Sequence, residues 1–318
     1  MYTKKLLKVV TVSAISLMLL IPSVSFANSN TNLNSGTDAL HKVRQAVEVS
    51  PQNNFQTQSV ELNISKASIL DEAPAFYESI EGKSYEELSF SEQEKFVEIS
   101  TAATAYYNEI SNAVNGKKNS QISPMYFESE LSKAIEATIY VGFPSLSTSD
   151  IASSITNANT AREIGVKYAQ LNGWGTTTWD NPADAYRHFA WNWLNTRSIN
   201  ANDARVFGDY HELALAAADE ANALTSLNYA QKIAWGAGRA LALKSSTQGS
   251  LSTFNSVFKN DSVMDIYNNS QGRKYAVNYS HNNVADAFYA AFFTNNALIG
   301  YLSQVNSSVR NTAYSYWQ

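Results

Sequence analysis

Apolar residues recur at helical spacing along most of this chain, and the clearest case lies between Ser89 and Gly116. Six apolar positions follow one another there at steps of three and four residues: Phe96, Ile99, Ala103, Tyr106, Ile110 and Val114. This spacing places them on one face of a helix. Ser89 with Glu92 forms a capping box at the start, and Ser91 with Glu94 forms a second box that overlaps it. The pattern therefore predicts an amphipathic helix that ends at Gly116.

Similar patterns predict helices through the rest of the chain. One begins after Ser147 and ends near Leu171. Another begins at Asn181-Pro182 and ends near Arg197, because Asn caps free N–H groups and Pro suits the first helical turn. Further helices are expected to start at Asn202 and Ser262 and to span 229–243 and 284–305, with a polar loop over 244–260, while 131–140 fits either a helix or a strand. The sequence thus predicts a mainly α-helical protein.

The chain divides into four predicted segments. Three lysines precede an apolar run over 9–21, and small residues flank a cleavage position after Ala27, so residues 1–27 are expected to be a secretory signal peptide. Residues 28–60 are rich in Asn, Ser, Thr and Gln and are expected to be largely disordered or a linker. A smaller N-terminal helical region is predicted at 61–118, and a multi-helix C-terminal domain at 126–318.

Composition narrows the classes of function. The chain has no cysteine, which excludes disulfides and thiolate metal sites. Its net charge is −5 and becomes more negative once the lysine-bearing signal is removed, so broad nucleic-acid binding is not expected. No segment after the signal is long and apolar enough for a transmembrane helix. The expected localisation is therefore secreted and extracellular.

Three of the predicted helices each carry a cluster of polar residues. The first cluster comprises Asp184, Arg187 and His188, the second His211 with its neighbour Glu212, and the third Asp265, Asn268, Asn269 and Arg273. Asp184 and His188 lie on one helix face because they are four residues apart. His211 is favoured over Glu212, since adjacent helical residues point about 100° apart. With only four histidines in the chain, we expect the clusters to converge on one site.

Two chemistries fit such a site. In the first, His188, His211 and Asp265 bind a divalent metal, with Glu212 an alternative to Asp265, and the metal activates water. In the second, no metal is needed: His188 acts as base, Asp265 orients it and His211 acts as acid. In both, substrate is expected to contact the remaining polar residues, namely Asp184, Arg187, Asn268, Asn269 and Arg273.

At these positions the sequence resembles a bacterial domain that occurs in secreted proteins and in large exported, toxin-like proteins. The resemblance lies in an Asp-Ala-aromatic-Arg-His segment (here 184–188), a His-Glu pair (211–212), and a Met-Asp-x-x-Asn-Asn-x-x-Gly-Arg segment (264–273). It covers roughly residues 150–305. It implies a helical domain in which these polar residues cluster, and it implies no particular activity.

The leading hypothesis from sequence is a secreted, effector-like bacterial hydrolase acting on an ester, phosphoester or cell-envelope substrate. The alternative is a non-enzymatic secreted protein, for binding or structure, in which the same residues form a buried hydrogen-bond network. Satisfied polar networks of that kind can fix a unique helix packing.

Overall fold

The computed structural model describes residues 36–48, 64–116 and 129–318, and these residues form helices without any strand. This confirms the mainly α-helical prediction. The twelve α-helices in the described residues are α1 (Gly36–Glu48), α2 (Ala73–Ser79), α3 (Phe90–Asn115), α4 (Glu130–Tyr140), α5 (Thr148–Leu171), α6 (Pro182–Ser198), α7 (Ala201–Asn222), α8 (Tyr229–Gly249), α9 (Leu251–Val257), α10 (Asn260–Asn278), α11 (Val284–Tyr289) and α12 (Ser307–Trp317).

The predicted signal peptide, its cleavage position and most of the predicted linker lie outside the described residues, as do residues 117–128. Within 28–60, the described residues 36–48 form α1. All described residues belong to one compact unit. None of the described helices has both the length and the apolar character that a membrane crossing requires.

Helix starts that depend on local capping agree with the sequence predictions. Ser89 caps α3 in a capping box with Glu92, and the predicted apolar face is buried. Ser91 lies inside this helix, so the second predicted box is not formed. Ser147 caps α5, and the side chain of Asn181 accepts hydrogen bonds from the first turn of α6. Each of these signals acts within one turn of chain, which is why sequence alone locates it.

Other boundaries differ from the predictions. The 131–140 segment is helical, α7 begins after Asn200 instead of at Asn202, and Lys259 instead of Ser262 precedes α10. The predicted polar loop over 244–260 is wrong, because α8 continues to Gly249 and α9 follows. Thr247 is buried in this stretch and bonds to the Leu243 carbonyl, so its hydroxyl is satisfied within the helix.

The predicted last helix is also shorter than expected. It ends at Tyr289, and a π-helical turn over Ala290–Thr294 and a short 3₁₀ turn separate it from α12. A π turn inserts an extra residue into the helical hydrogen-bond pattern. The apolar spacing continues across this break, and so the sequence pattern alone did not show it.

Helix α6 lies at the centre of the described structure and packs against α5, α7 and α10. An aromatic cluster covers one side of it: the Tyr186 ring stacks on Phe288 of α11 with centroids 3.8 Å apart, and Tyr168 of α5 meets both edge-on. The alanine-rich α7 packs between α4, α6, α8 and α10, and most of its alanines are buried. The polar residues of α6, α7 and α10 consequently face one another inside the protein.

Candidate functional site

The cap of α6 also holds the first acidic side chain of the site. Asn181 accepts hydrogen bonds from the backbone N–H groups of Ala183 and Asp184. Asp180, just before it, has a left-handed backbone with φ of 60°, which Asp tolerates better than most residues. Its N–H donates to Asp184 Oδ2 at 2.9 Å. The loop and the helix start thus fix one Asp184 oxygen and leave the other, Oδ1, facing His188.

One imidazole and two carboxylates meet at a buried point between α6 and α10. His188 Nε2 lies 3.3 Å from Asp265 Oδ2 and 3.6 Å from Asp184 Oδ1. The three residues offer ligand atoms that all lie within 4.8 Å of one another. The side chains of His188 and Asp184 are 2% and 5% exposed, whereas that of Asp265 is 15% exposed. Asp265 therefore forms the edge of the cluster nearest to solvent.

Several polar atoms in this region have no hydrogen-bond partner among the described residues. They are His188 Nε2, Asp265 Oδ1, Asn269 Nδ2 and both carboxylate oxygens of Glu212. Leaving a buried polar atom unsatisfied costs about 1–3 kcal/mol. Such a concentration in one place is characteristic of a site for a ligand more than of a finished structural network.

Electrostatics point the same way. Burial, with the neighbouring Asp184 and Glu212 carboxylates, raises the pKa of Asp265 well above its ordinary value. Burial raises the pKa of Glu212 to about 8. Arg187 offsets part of this negative charge through two hydrogen bonds to Asp184 Oδ1 at 2.6 and 3.2 Å. The three acids outnumber the single Arg187 guanidinium beside them, so a bound metal ion would stabilise their charged forms.

The other nitrogen of His188 contacts an amide. His188 Nδ1 lies 3.2 Å from Asn269 Oδ1, which also accepts a 2.6 Å hydrogen bond from Asn192 Nδ2. Burial, with the positive charges of Arg187 and His211 nearby, lowers the pKa of His188 well below its ordinary value. His188 is therefore a neutral imidazole whose two nitrogens face different partners.

His211 belongs to a neighbouring but separate group. Its Nδ1 lies 2.9 Å from Glu136 Oε1 on α4, and its ring lies edge-on to Trp191. The rings of His211 and His188 are 6.3 Å apart. The three-residue ligand group of the described residues contains Asp184 in the place that the sequence prediction gave to His211. The His211–Glu136 pair instead resembles the base-and-orienter arrangement of acid–base catalysis.

A cavity of about 60 Å³ is lined by both His188 and His211. Its lining includes His188, Arg187, Trp191, His211, Glu136 and Arg162. A space of this size holds a few water molecules. Arg162 and Arg187 are partly exposed, which places the cavity beside the surface. The arrangement brings His188, His211, the Glu136 carboxylate and two guanidinium groups around a water-sized space, whereas Asp184, Asp265 and Glu212 are not part of its lining.

Two residues expected to contact substrate have other contacts. Asn268 is fully buried, and its amide forms two hydrogen bonds with the backbone of Ile299. Arg273 donates to Asn192 Oδ1 at 2.7 Å and lies near Asp209, on the far side of Asn192 from His188. The structure therefore gathers Asp184, Arg187, His188, Asp265 and Asn269 closely, and His211 next to them. Asn268 and Arg273 instead make hydrogen bonds to Ile299 and Asn192, which are not members of this group.

The sequence did not single out Glu136, and it ranked Glu212 below His211 while keeping it as an alternative ligand to Asp265. Glu136 lies in the segment that fitted either a helix or a strand, so no face could be assigned to it. Glu212 was disfavoured because it is adjacent to His211, yet both residues are buried: Glu212 is 1% exposed and His211 is 5% exposed. The two point into different parts of the same interior, since α7 is packed on several sides.

The donor set fits a divalent cation. Neutral imidazole and carboxylate oxygens together suit ions such as Zn²⁺ or Mn²⁺. Ligating histidines usually donate their second N–H to an oxygen of a neighbouring group. Asn269 supplies such an oxygen to His188. These features match a metal site made of His188, Asp184 and Asp265, with Glu212 nearby.

Comparison with known proteins locates a domain around this site. Residues 148–298 match the family model described as Domain of unknown function (DUF6973). This range includes the clusters on α6, α7 and α10 and excludes Glu136 on α4. No curated protein and no solved structure matches the chain. The chain thus contains a DUF6973 domain, and this domain includes Asp184, His188 and Asp265.

Proposed function

We propose that this chain is a hydrolase whose active site holds a divalent cation between Asp184, His188 and Asp265. One observation carries the proposal: the Nε2 atom of His188 lies within 3.6 Å of two carboxylate oxygens and has no hydrogen bond among the described residues. A lone pair that faces two carboxylates is unfavourable unless a cation or a proton lies between them. A divalent cation bound there would activate water and polarise an ester or phosphoester.

The residues beside the cluster supply the other functions that hydrolysis needs. Glu136 orients His211, which is placed to accept a proton from water or to donate one to a leaving group. Arg187 and Arg162 line the same cavity and are suited to bind an oxyanion. The substrate class follows as an ester or phosphoester, of small-molecule or cell-envelope origin.

Secretion is part of the proposal. The basic and then apolar start of the chain, with small residues before the expected cleavage position, supports export. We propose that the protein acts outside a bacterial cell, in the manner of the effector-like proteins that the motifs resemble.

The alternative is a structural role for the cluster, and one observation favours it: α5 and α6 do share a sealed polar network. Asn157 donates to Asn195, and Asn195 donates to Ser154. In that network the amide groups have partners, whereas the His188 cluster retains several unsatisfied atoms. This contrast within one protein supports the site over the network.

Metal content and activity of the purified protein test the proposal together. Wild type is expected to carry stoichiometric divalent metal by elemental analysis and to hydrolyse a chromogenic ester or phosphodiester. His188→Ala should lose both, while His41→Ala, which removes an exposed histidine of α1, should lose neither. Wild type without metal, or metal retained in His188→Ala, would exclude this site and favour the structural alternative.

A further inference from the structure

A chain of two amides links His188 to a buried arginine. Arg273 Nη1 donates to Asn192 Oδ1 at 2.7 Å, Asn192 Nδ2 donates to Asn269 Oδ1 at 2.6 Å, and Asn269 Oδ1 lies 3.2 Å from His188 Nδ1. All four residues are at least nine-tenths buried. Little water can therefore reach these side chains and rearrange their hydrogen bonds.

The direction of every hydrogen bond in this chain follows from its first member. A guanidinium only donates, so the Asn192 atom that faces Arg273 must be the amide oxygen. The other end of Asn192 is then its NH₂ group, which also donates to the His188 carbonyl oxygen at 3.4 Å. The Asn269 atom that accepts from Asn192 must be an oxygen as well. An oxygen cannot donate to His188, so His188 Nδ1 carries the proton.

The surroundings of Nε2 favour the opposite tautomer. Asp265 Oδ2 and Asp184 Oδ1 lie 3.3 and 3.6 Å from it, and an acid in its charged form attracts a proton onto the facing nitrogen. The amide of Asn269 also leaves its own Nδ2 without a partner among the described residues. The Asn269 amide therefore keeps this orientation although its NH₂ group is unsatisfied. The hydrogen bonds from Arg273 to Asn192 and from Asn192 to Asn269 hold it there.

Two glycines leave space for these hydrogen-bonded side chains where α7 and α10 cross α6. A Cβ atom on Gly208 of α7 would lie 2.9 Å from Asn192 Oδ1 and 3.2 Å from Arg273 Nη1. A Cβ atom on Gly272 of α10 would lie 2.4 Å from the Phe189 carbonyl oxygen. Both helices can therefore approach α6 at Asn192 only because these positions lack a side chain.

We infer that Arg273 is a positioning residue that holds the proton of His188 on Nδ1, through Asn192 and Asn269, and so presents the Nε2 lone pair to Asp184 and Asp265. The tautomer itself stands independently of any activity, whereas its use in binding a cation rests on the proposed function. A protonated Nε2 could not act as a metal ligand.

The test is the tautomer of His188 in metal-free protein, read by long-range ¹H–¹⁵N NMR with ¹⁵N-labelled histidine. Wild type should show a protonated Nδ1 and an unprotonated Nε2. Arg273→Gln replaces the guanidinium, which only donates, with an amide, which can also accept. The Asn192 and Asn269 amides are then free to turn, so the His188 proton should move wholly or partly from Nδ1 to Nε2. Arg273→Lys keeps a group that only donates and should restore the wild-type signals.

Arg205→Gln is the matched control. It removes another arginine that pairs with Asp209, and Arg205 donates its hydrogen bonds to Asp209 and the Trp317 carbonyl oxygen. It should leave the tautomer unchanged. Zn²⁺ affinity, measured by calorimetry, should fall about 10- to 100-fold in Arg273→Gln, as is typical for partners of metal-binding histidines.

If Arg273→Gln does not fold, Asn192→Asp serves as the test variant. A carboxylate cannot donate to Asn269 Oδ1, so the Asn269 amide can turn and the His188 proton should move to Nε2 in the same way. A wild-type His188 protonated on Nε2, or a tautomer unchanged in both variants, would overturn the inference. A wild type with the expected tautomer but no affinity for Zn²⁺ or Mn²⁺ would instead refute the metal proposal and leave the tautomer intact.

Discussion

His188 Nε2 lies 3.3 Å from Asp265 Oδ2, although the two residues come from different helices, α6 and α10. Gly272, two turns after Asp265, lets α10 approach the backbone of α6 closely. Asp265 also keeps more exposure than its partners in the cluster. The close approach of two helices thus brings an acid at the solvent edge into contact with an imidazole in the interior.

Asp265→Asn is expected to abolish stoichiometric metal binding. The amide removes the negative charge that completes the ligand set, so Zn²⁺ affinity should fall by at least the ~10- to 100-fold seen for changes around metal-binding histidines. Metal-free protein should keep or gain thermal stability, because a buried carboxylate is lost. Calorimetric titration measures the affinity, and Asp261→Asn, an exposed acid of the same helix, is the control. Equal affinities in the two variants would count against Asp265 as a ligand.

His211→Ala is expected to separate metal binding from activity. Because His211 pairs with Glu136 and lies outside the three-residue cluster, metal content should stay at the wild-type level. Turnover should fall by ~10²- to 10⁴-fold, the usual contribution of a general acid or base. Glu136→Gln should cause a smaller loss in the same assay, since it changes only the orientation of His211. Loss of metal in His211→Ala would restore His211 as a ligand, as the sequence alone suggested.

The sequence predicted those parts of the fold and the site that depend on neighbouring residues. The cap at Asn181 and the four-residue step from Asp184 to His188 are local, and both appear in the structure as expected. The direction of His211 is decided by Glu136 on another helix, which no local pattern reveals. Thr247 is similar: its hydroxyl accepts a hydrogen bond from Trp317, so a stretch that looks like a polar loop is a buried helix.

The neighbouring residues Asn268 and Asn269 show the same limit within one dipeptide. Their sequence gives two equivalent amides at the predicted site. The structure directs Asn269 towards His188 and Asn268 towards the Ile299 backbone, because adjacent positions on a helix point about 100° apart. Which of them serves the site depends on where α10 packs, and that is a tertiary property.

Asn268→Ala is expected to destabilise the protein without a direct effect on the site. The change leaves the buried N–H and C=O groups of Ile299 without their partners, at a cost of roughly 2–6 kcal/mol, since each of the two unsatisfied groups costs about 1–3 kcal/mol. Urea unfolding measures this change, with Asn222→Ala at an exposed position as control. Metal affinity of the folded variant should match wild type, and an affinity loss without destabilisation would assign Asn268 to the site.

Gly272→Ala is expected to weaken the contact between α6 and α10. Its Cβ atom would lie 2.4 Å from the Phe189 carbonyl oxygen and 3.1 Å from Asn192 Cβ, so the helices must move apart. The free energy of unfolding should fall by at least ~1–3 kcal/mol, the usual cost of overpacking. Gly249→Ala, where an added Cβ meets no atom within 4 Å, should change it by less than ~1 kcal/mol. Similar unfolding free energies for both variants would show that α10 can shift freely.

Glu212 is expected to make the metal-free protein less stable as pH rises. Its pKa is about 8 in the folded protein, against an ordinary value of 4.5, because burial disfavours the carboxylate. Between these pH values the folded state keeps a proton that the unfolded state has released. The contribution of Glu212 to the free energy of unfolding is therefore most favourable below pH 4.5, decreases as pH rises and levels off above about pH 8. Asp265, whose pKa burial also raises, contributes in the same direction.

Glu212→Gln should remove this part of the pH dependence, because the amide is neutral in both states. In chelator-treated protein the slope of unfolding free energy against pH should flatten by up to ~1.4 kcal/mol per pH unit, the value for one proton. The variant should then be more stable than wild type near pH 8, while Glu94→Gln, at an exposed position of α3, should follow the wild-type curve. Saturating Zn²⁺ should stabilise wild type more at pH 8 than at pH 5, since the cation replaces protons on the acids. Parallel curves for Glu212→Gln and wild type would mean that Glu212 is already charged in the folded protein, and that its charge is balanced without a metal ion.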